Sequence, residues 1–457
     1  MSFAQTSHWR GRLALLVFSA MLGIYSIPAA AQVLYGTILG TVEDASGAVV
    51  PNTKVTVTEK ATGFTRDATT DVSGNYSVPS TPLGTYSLKV TANGFKTLTR
   101  DNVVVTANST VRIDAKLEIG AVSDQVTVEA SAVQLQTDRS ETKSEINAKT
   151  VQELPLNQYR NYQALLNLVP GTTPASFQNS STDTPGRALR TFVNGTATNN
   201  NVTRLDGATN VNIWLPHHVA YVAPSETVEN VSVTTSSFDA EQGMAGGAAM
   251  TVVSASGTND VHGAGWLYHE NDGLKARPYF MPPTTQMPLY KLSIFGGKVG
   301  GAIIKNKLFY FGHVELTRQD SGGSSFFTVP NAAMRAGDFS NFIAPNGQGT
   351  IYDPMTGAQN GTGRTPFPGN RVPSARFSPQ ALRLLQLVPQ PNNEGGQIIN
   401  SNRSIGNNHF VNAVGKFNRN NYDWKANWNR NEKHTMFFKM STLDADVGGL
   451  FGLGEAG

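Results

Sequence analysis

Residues 225–266, SETVENVSVTTSSFDAEQGMAGGAAMTVVSASGTNDVHGAGW, change character along their length. Residues 228–234 have the pattern of a strand, with Val231 and Val233 alternating with polar neighbours. Gly243, Gly246 and Gly247 form a hinge before a second β-rich run, residues 249–253. A polar segment, 254–259, leads to aromatics at alternate positions, Trp266 and Tyr268. Small and polar residues dominate before this stretch and aromatic β hairpins after it. It therefore marks a joint between a soluble α/β unit and membrane-embedded β-structure.

The composition agrees with a strand-and-turn protein. The chain has 457 residues, enough for two to four domains, with 44 glycines, 23 prolines and only 15% charged residues. The net charge of +3 is modest. No Lys/Arg stripe interleaves with aromatics, which argues against a nucleic-acid partner. The absence of cysteine excludes disulfides and zinc-thiolate sites. Arg10 and Arg12, the apolar run LALLVFSAMLGI at 13–24, and Ala29, Ala30 and Ala31 make residues 1–31 a signal peptide, with the mature chain starting at Gln32. Its apolar run is shorter than the ~20 residues of a spanning helix. No later run is longer, so any membrane entry must be made by strands.

Residues 33–118 predict a β-sandwich. The runs 54–58 and 85–91 alternate strictly, with Val55, Val57, Tyr86, Leu88 and Val90 on one side, and turns fall at 45–47, 71–74 and 93–94. The spacing Gly74-Asn75-Tyr76, Pro82-Leu83-Gly84-Thr85-Tyr86 and Gly94-Phe95 resembles the carboxypeptidase regulatory-like (transthyretin-like) domain. That resemblance implies seven strands, inward tyrosines and kinship with carbohydrate-binding-like folds. No exposed aromatic cluster marks a sugar site, and the domain is read as a spacer.

A linker, 120–143, contains Asp124, Gln125, Val126, Thr127, Val128, Glu129 and Ala130. By alternation alone this is one more strand, with Val126 and Val128 on one face. It also resembles the TonB box of TonB-dependent outer-membrane receptors, which implies a TonB-type inner-membrane energy transducer as partner. An exposed extended segment suits that role, since it can add an edge strand to a partner's sheet. Residues 144–256 resemble the receptors' plug through Glu153-Leu154-Pro155-Leu156, Leu165-Leu166, Pro170-Gly171, Val193-Asn194-Gly195, Val202 to Gly207 and Val228 to Val233. A helix is predicted over 159–169, with Tyr162, Leu165, Leu166 and Val169 on one face and Pro170-Gly171 as its stop. Asn194-Gly195 and Asp206-Gly207 fit hairpin turns.

From residue 258 the pattern is that of barrel strands. Tyr422, Trp424, Ala426 and Trp428 share one face of a strand, and Asp423, Lys425 and Asn427 the other. Met436, Phe438 and Met440 lie opposite Thr435, Phe437, Lys439 and Ser441, and residues 308–317 form a third candidate. Apolar-out, polar-in strands with aromatic girdles characterise outer-membrane barrels. Between them, residues 320–408 predict a long Gly-, Pro- and Asn-rich loop without secondary structure, fitting an extracellular ligand entrance. Its phrases, with 296–301 and Phe309-Tyr310-Phe311, resemble the Oar-like branch of the TonB-dependent transporters.

The fold class read from the sequence is therefore mainly β: a transthyretin-like sandwich, an α/β plug and the first strands of an incomplete outer-membrane β-barrel. Residues 258–457 supply about six strands, whereas family barrels have on the order of twenty-two. The chain is read as the N-terminal fragment of a longer receptor, with a protease-resistant core ending near residue 256. The resemblance implies outer-membrane localisation with the sandwich in the periplasm, contact with outer-membrane lipid, and an extracellular ligand of open identity: iron chelate, oligosaccharide, peptide or protein. It implies no cofactor and no catalysis. His217, His218, His262 and His269 lack metal-ligand spacing, and Asp206 and Asp338 are explained as turn residues. The GxGxxG match at 452–457 lacks its strand-turn-helix context. The competing reading is a secreted or surface-attached adhesin that uses the sandwich to hold carbohydrate.

Overall fold

The fold is described from a computed structural model, covering residues 34–129, 140–156, 159–177, 185–212, 214, 218–238, 242–243, 245–277, 287–341, 349–393, 406–449 and 453. The signal-peptide reading, Ala130 of the box-like segment, His217 and most of the GxGxxG match lie outside the described residues.

Nine strands form the sandwich: β1 (Gly36–Asp44), β2 (Lys54–Glu59), β3 (Thr65–Thr69), β4 (Asn75–Thr81), β5 (Gly84–Thr91), β6 (Thr97–Val105), β7 (Thr110–Arg112), β8 (Ala115–Leu117) and β9 (Gln125–Glu129). One sheet has the order β4-β1-β7, with β8 also on β1, and the other β3-β2-β5-β6-β9. The alternation places Val55, Val57, Tyr86, Leu88 and Val90 in a single core with Ile38, Val42, Val103 and Ile113. Tyr76 and Tyr86 are buried but donate to the carbonyls of Ile113 and Pro82, both at 2.7 Å, so neither hydroxyl is left unmade. Gly40 is required where β1 crosses under Ile113, because a Cβ there would overlap that carbonyl. The strand count departs from the implied seven: β7 and β8 are two pieces of one broken strand along β1, and β9 is an addition.

The central unit is built on a third sheet, ordered β10-β13-β14-β11-β12. Its strands are β10 (Thr142–Asn147), β11 (Val202–Leu205), β12 (Ala208–Thr209), β13 (Val228–Ser236) and β14 (Ala249–Ser254), with a short helix α1 (Ala148–Glu153) after β10. Asp206 and Gly207 both take positive φ, 47° and 82°, and make the two-residue β11–β12 turn that the sequence predicts. The predicted helix is shorter and tighter, a 3₁₀ turn at Tyr162–Leu168, because Tyr159 and Arg160 have positive φ and Pro170 follows closely. The predicted inward residues Tyr162, Leu165, Leu166 and Val169 are all buried.

The third body is a five-stranded antiparallel meander, β15 (His262–Asn271), β16 (Tyr290–Ile304), β17 (Leu308–Phe327), β18 (His409–Asn431) and β19 (His434–Gly448). Among the described residues it is an open sheet, one strand fewer than expected. Its faces are inverted relative to a soluble sheet. Trp424, Trp428, Met436, Phe438 and Met440 point outward and are 42–65% exposed, whereas Asp423, Lys425, Glu315, Thr317 and His313 are buried against the central unit. Trp266 and Tyr268 differ from Trp424 and Trp428: like Phe309, Phe311 and Phe417 they turn inward, and Leu267 between them is the exposed residue.

The predicted structureless loop is corrected in two respects. β17 continues through the loop's first eight residues, 320–327, and the remainder carries helices α2 (Ala332–Arg335) and α3 (Pro379–Leu387). Ser378 caps α3 by accepting from Ala381 N, and Pro379 starts it. Arg335 binds the carbonyls of Leu385, Val388 and Pro389 at 2.6–2.9 Å, satisfying the helix's last turn. Arg376 clasps both Asp353 oxygens at 2.5 and 2.8 Å.

Candidate functional site: a charged seam

The central unit meets the inner face of the meander along a seam of ion pairs. At one end is Asp206, held in place by the β11–β12 turn. Lys425 of β18 donates to its Oδ1 at 3.1 Å and Lys439 of β19 to its Oδ2 at 2.9 Å. Ser254 of β14 adds its N–H at 3.0 Å and hydroxyl at 2.5 Å. Burial pushes the Asp206 carboxyl up, but the two ammonium groups and the Ser254 hydroxyl outweigh it and hold the carboxyl below its ordinary range.

Midway along lies Asp423 of β18. It accepts from Tyr221 of the central unit at 2.9 and 3.0 Å and from Ser441 of β19 at 2.6 Å, and pairs with His313 Nδ1 of β17 at 3.1 Å. Burial, then the nearby Asp423 charge, push the Tyr221 hydroxyl well above its usual pKa, so it remains a donor. The His313 ring stacks on Trp266 with centroids 5.5 Å apart.

Glu226 is the third node. Lys298 of β16 donates to its carboxylate at 3.1 Å and to its carbonyl at 2.9 Å, while Tyr268 of β15 reaches it at 3.1 Å. Arg160 lies 3.4 Å from the same carboxylate and 3.8 Å above the Tyr268 ring. Beyond it, Arg187 covers Phe417 at 4.1 Å, and Arg419 pairs with Glu315 at 3.7 Å. Among the described residues, Trp266 Nε1, His313 Nε2 and Glu315 Oε2 find no protein hydrogen-bond partner, so the seam's polar capacity exceeds its protein bonds. Such an interface can separate without exposing a large apolar face, unlike a packed hydrophobic core.

The sandwich closes one end of this assembly. Asn259 N–H donates to Ala61 O at 2.9 Å, Arg66 to Glu432 O at 2.7 Å, and Thr106 to Glu145 of β10 at 3.2 Å. Gly63, at φ 68°, sits against Asn306 where a Cβ would overlap the amide. Between the three bodies lies a cavity of about 470 Å³, lined among others by Phe64, Asp206, Glu229, Lys298, Phe311 and Lys425.

The box-like segment is extended, as its alternation predicts, but it is not isolated. Gln125, Val126, Thr127, Val128 and Glu129 pair in parallel with residues 97–101 of β6. Asp124 just ahead accepts from Thr97 N at 2.8 Å, and Val126 packs against the sandwich core. The histidines named from sequence separate: His218 is buried in the central unit, His269 bonds Ser293 at 2.9 Å, and His262 lies near Thr258. Among the described residues no three His, Asp or Glu groups converge as metal ligands. Asp423 and Lys425 were placed on the polar strand face by alternation, but Asp206, Glu226, His313 and Tyr221 were not singled out as partners for it. Their partners across the seam are 42–233 positions away, and no local pattern carries that information.

An Outer membrane beta barrel domain family matches residues 253–454, and a Carboxypeptidase regulatory-like domain family matches residues 37–118. The TonB-dependent transporter Oar of Myxococcus xanthus is 26% identical over 353 residues, covering 72% of this chain and 31% of its own length. The chain thus spans about a third of that relative. Among solved structures, a putative carbohydrate binding protein from Pseudomonas aeruginosa is 22% identical with a TM-score of 0.15, over 19% of this chain and 90% of that one. Wild-type catechol 1,2 dioxygenase of Acinetobacter radioresistens is 14% identical with a TM-score of 0.17, over 22% and 58%. At such TM-scores neither likeness carries an argument. With both domain families in order and the likeness running through most of its length, the chain is a homologue of the TonB-dependent transporter Oar, joining a carboxypeptidase regulatory-like domain to an outer membrane β-barrel domain.

Proposed function

We propose that the chain forms the sandwich, plug and first barrel strands of a TonB-dependent outer-membrane transporter. The observation that carries this reading is the inverted meander, apolar outside and ion-paired to the central unit inside. A soluble sheet would bury Trp424, Phe438 and Met440 and expose Asp423 and Lys425. A lipid-facing wall around a polar plug does the reverse. The short β16–β17 and β18–β19 turns, at 305–307 and 432–433, lie on the sandwich side, and the long connections 272–289 and 328–408 lie opposite. Since barrels keep short turns on the periplasmic side, the sandwich belongs in the periplasm and the long loop at the cell surface.

In this reading ligand binds the surface loops and the apical plug. The TonB-type transducer engages residues 124–130, and its pull shifts the plug along the charged seam. Energy comes from the partner, so neither a nucleotide site nor catalysis is required. The ligand class stays open among iron chelates, oligosaccharides, peptides and proteins, because irregular loops set it. Deleting residues 124–130 from the full-length protein is expected to abolish capture of the transducer's periplasmic domain while leaving heat-modifiable barrel mobility unchanged. Undiminished capture, or a protein released into the medium, would sink the proposal.

A further inference from the structure

We infer that the β6 edge of the sandwich is a resting receptor for the strand 124–129, so that the sandwich and the transducer compete for one segment. This rests on the reading of 124–130 as the transducer's target.

Three observations carry it. First, the matched regulatory-like domain ends at residue 118, before β9 begins. The sandwich core, from Ile38 and Val42 to Ile113 and Leu117, is already enclosed by β1 to β8. β9 is an appended strand, and Val126 is its hydrophobic residue packed against that core. Second, the docking is specific. Five residues pair in parallel register, Thr97 with Gln125 through Asp101 with Glu129. A tight turn prepares the entry: Asp124 N–H donates to Ala121 O at 2.9 Å, Asp124 O accepts from Thr97 N at 2.8 Å, and the Thr97 hydroxyl donates to Val122 O at 2.7 Å. Val126 supplies the apolar contact with the core. Third, among the described residues β9 is the terminal strand of its sheet, paired to β6 alone. It is held by one row of main-chain bonds, the type of strand most readily exchanged for another partner.

A strand in this position cannot be drawn out by its backbone until the β6 pairing is broken. The same sandwich is anchored to the barrel turns through Ala61, Gly63 and Arg66. Contacts at the periplasmic rim and availability of the segment are thus joined in one rigid body. Loosening the sandwich from the rim is not needed to free the strand, but loosening β9 from β6 is.

The chain contains no cysteine, which makes a disulfide trap unambiguous. Thr99 and Thr127 stand opposite each other in register. In the full-length protein carrying Thr99→Cys and Thr127→Cys, oxidation should close the bridge and lower affinity for the transducer's purified periplasmic domain at least tenfold. Reduction should restore it to the value of the same variant never oxidised. Thr97→Val, which removes the bond to Val122 O without touching the segment, should raise affinity several-fold. Failure of the bridge to form in folded protein would overturn the inference, and so would equal binding by oxidised and reduced forms. The 124–130 deletion separates the two readings. If deletion abolishes capture while the closed bridge does not, only the competition falls; if deletion leaves capture intact, the target assignment falls as well.

Discussion

Asp206 shows how much a single residue can conceal. Its local sequence, Asp206-Gly207, is fully explained by a two-residue turn, and the turn is present. The same carboxylate is also the counterion of two lysines more than 200 residues away, a fact of register between distant strands rather than of composition. Asp206→Asn would leave Lys425 and Lys439 facing each other without a counterion in a buried site. Breaking a buried pair by removing one partner costs on the order of 3–5 kcal/mol, and the full-length protein should lose that much stability in urea titration. A Lys425→Met, Asp206→Asn double variant should recover most of it. Acid should act on the same node. Because the folded carboxyl titrates below its ordinary 3.8, its stabilisation is complete above that pH and is lost as pH falls through the lower folded value. Protease sensitivity of the central unit should therefore rise below about pH 4 in the parent and change little in the Asn variant.

At the scale of elements, alternation was decisive for the wall strands. The faces of 422–428 and 435–441 could be assigned from sequence because lipid outside and charge inside impose a strict two-residue period. Elements set by longer-range contacts were not legible. The 3₁₀ turn at Tyr162–Leu168 depends on positive φ at Tyr159 and Arg160, and the folding of the long loop depends on Arg335 reaching 50–54 residues ahead. Aromatic residues alone did not give a facing either, since Trp266 and Tyr268 serve the seam. The outward face makes a graded prediction. Trp424→Arg puts a charge where the wall is apolar and should cost about 2–4 kcal/mol if near the bilayer midplane, read as loss of the heat-modifiable folded band. Asn418→Arg, on the same face six residues nearer the loop, should assemble like the parent.

For the whole molecule, the order of sandwich, central unit and wall could be read along the chain, because each has its own periodicity and turn chemistry. Their mutual placement could not, since the contacts joining them pair residues far apart in sequence, such as Arg66 with Glu432 O and Asp206 with Lys425. Orientation across the membrane is open to a direct test in this cysteine-free chain. Met355→Cys in the long loop should react with an impermeant maleimide on intact cells. Val72→Cys in the sandwich, equally exposed, should react only after the outer membrane is permeabilised. The reverse pattern would invert the proposed topology. The strands themselves settle how tall such a molecule stands. Outward residues turn polar along one register line, His269, Ser293, Arg318, Asn418 and Asp446, yet β18 continues from Asn418 to His409 and β17 from Arg318 to Phe327. The nine further residues of each strand rise ~3.3 Å each, about 30 Å along the strand, or about 20 Å of height at a ~45° tilt. In the proposed outer-membrane reading the upper part of this wall would stand clear of the lipid, and a ligand would meet its rim well before it came near the membrane surface.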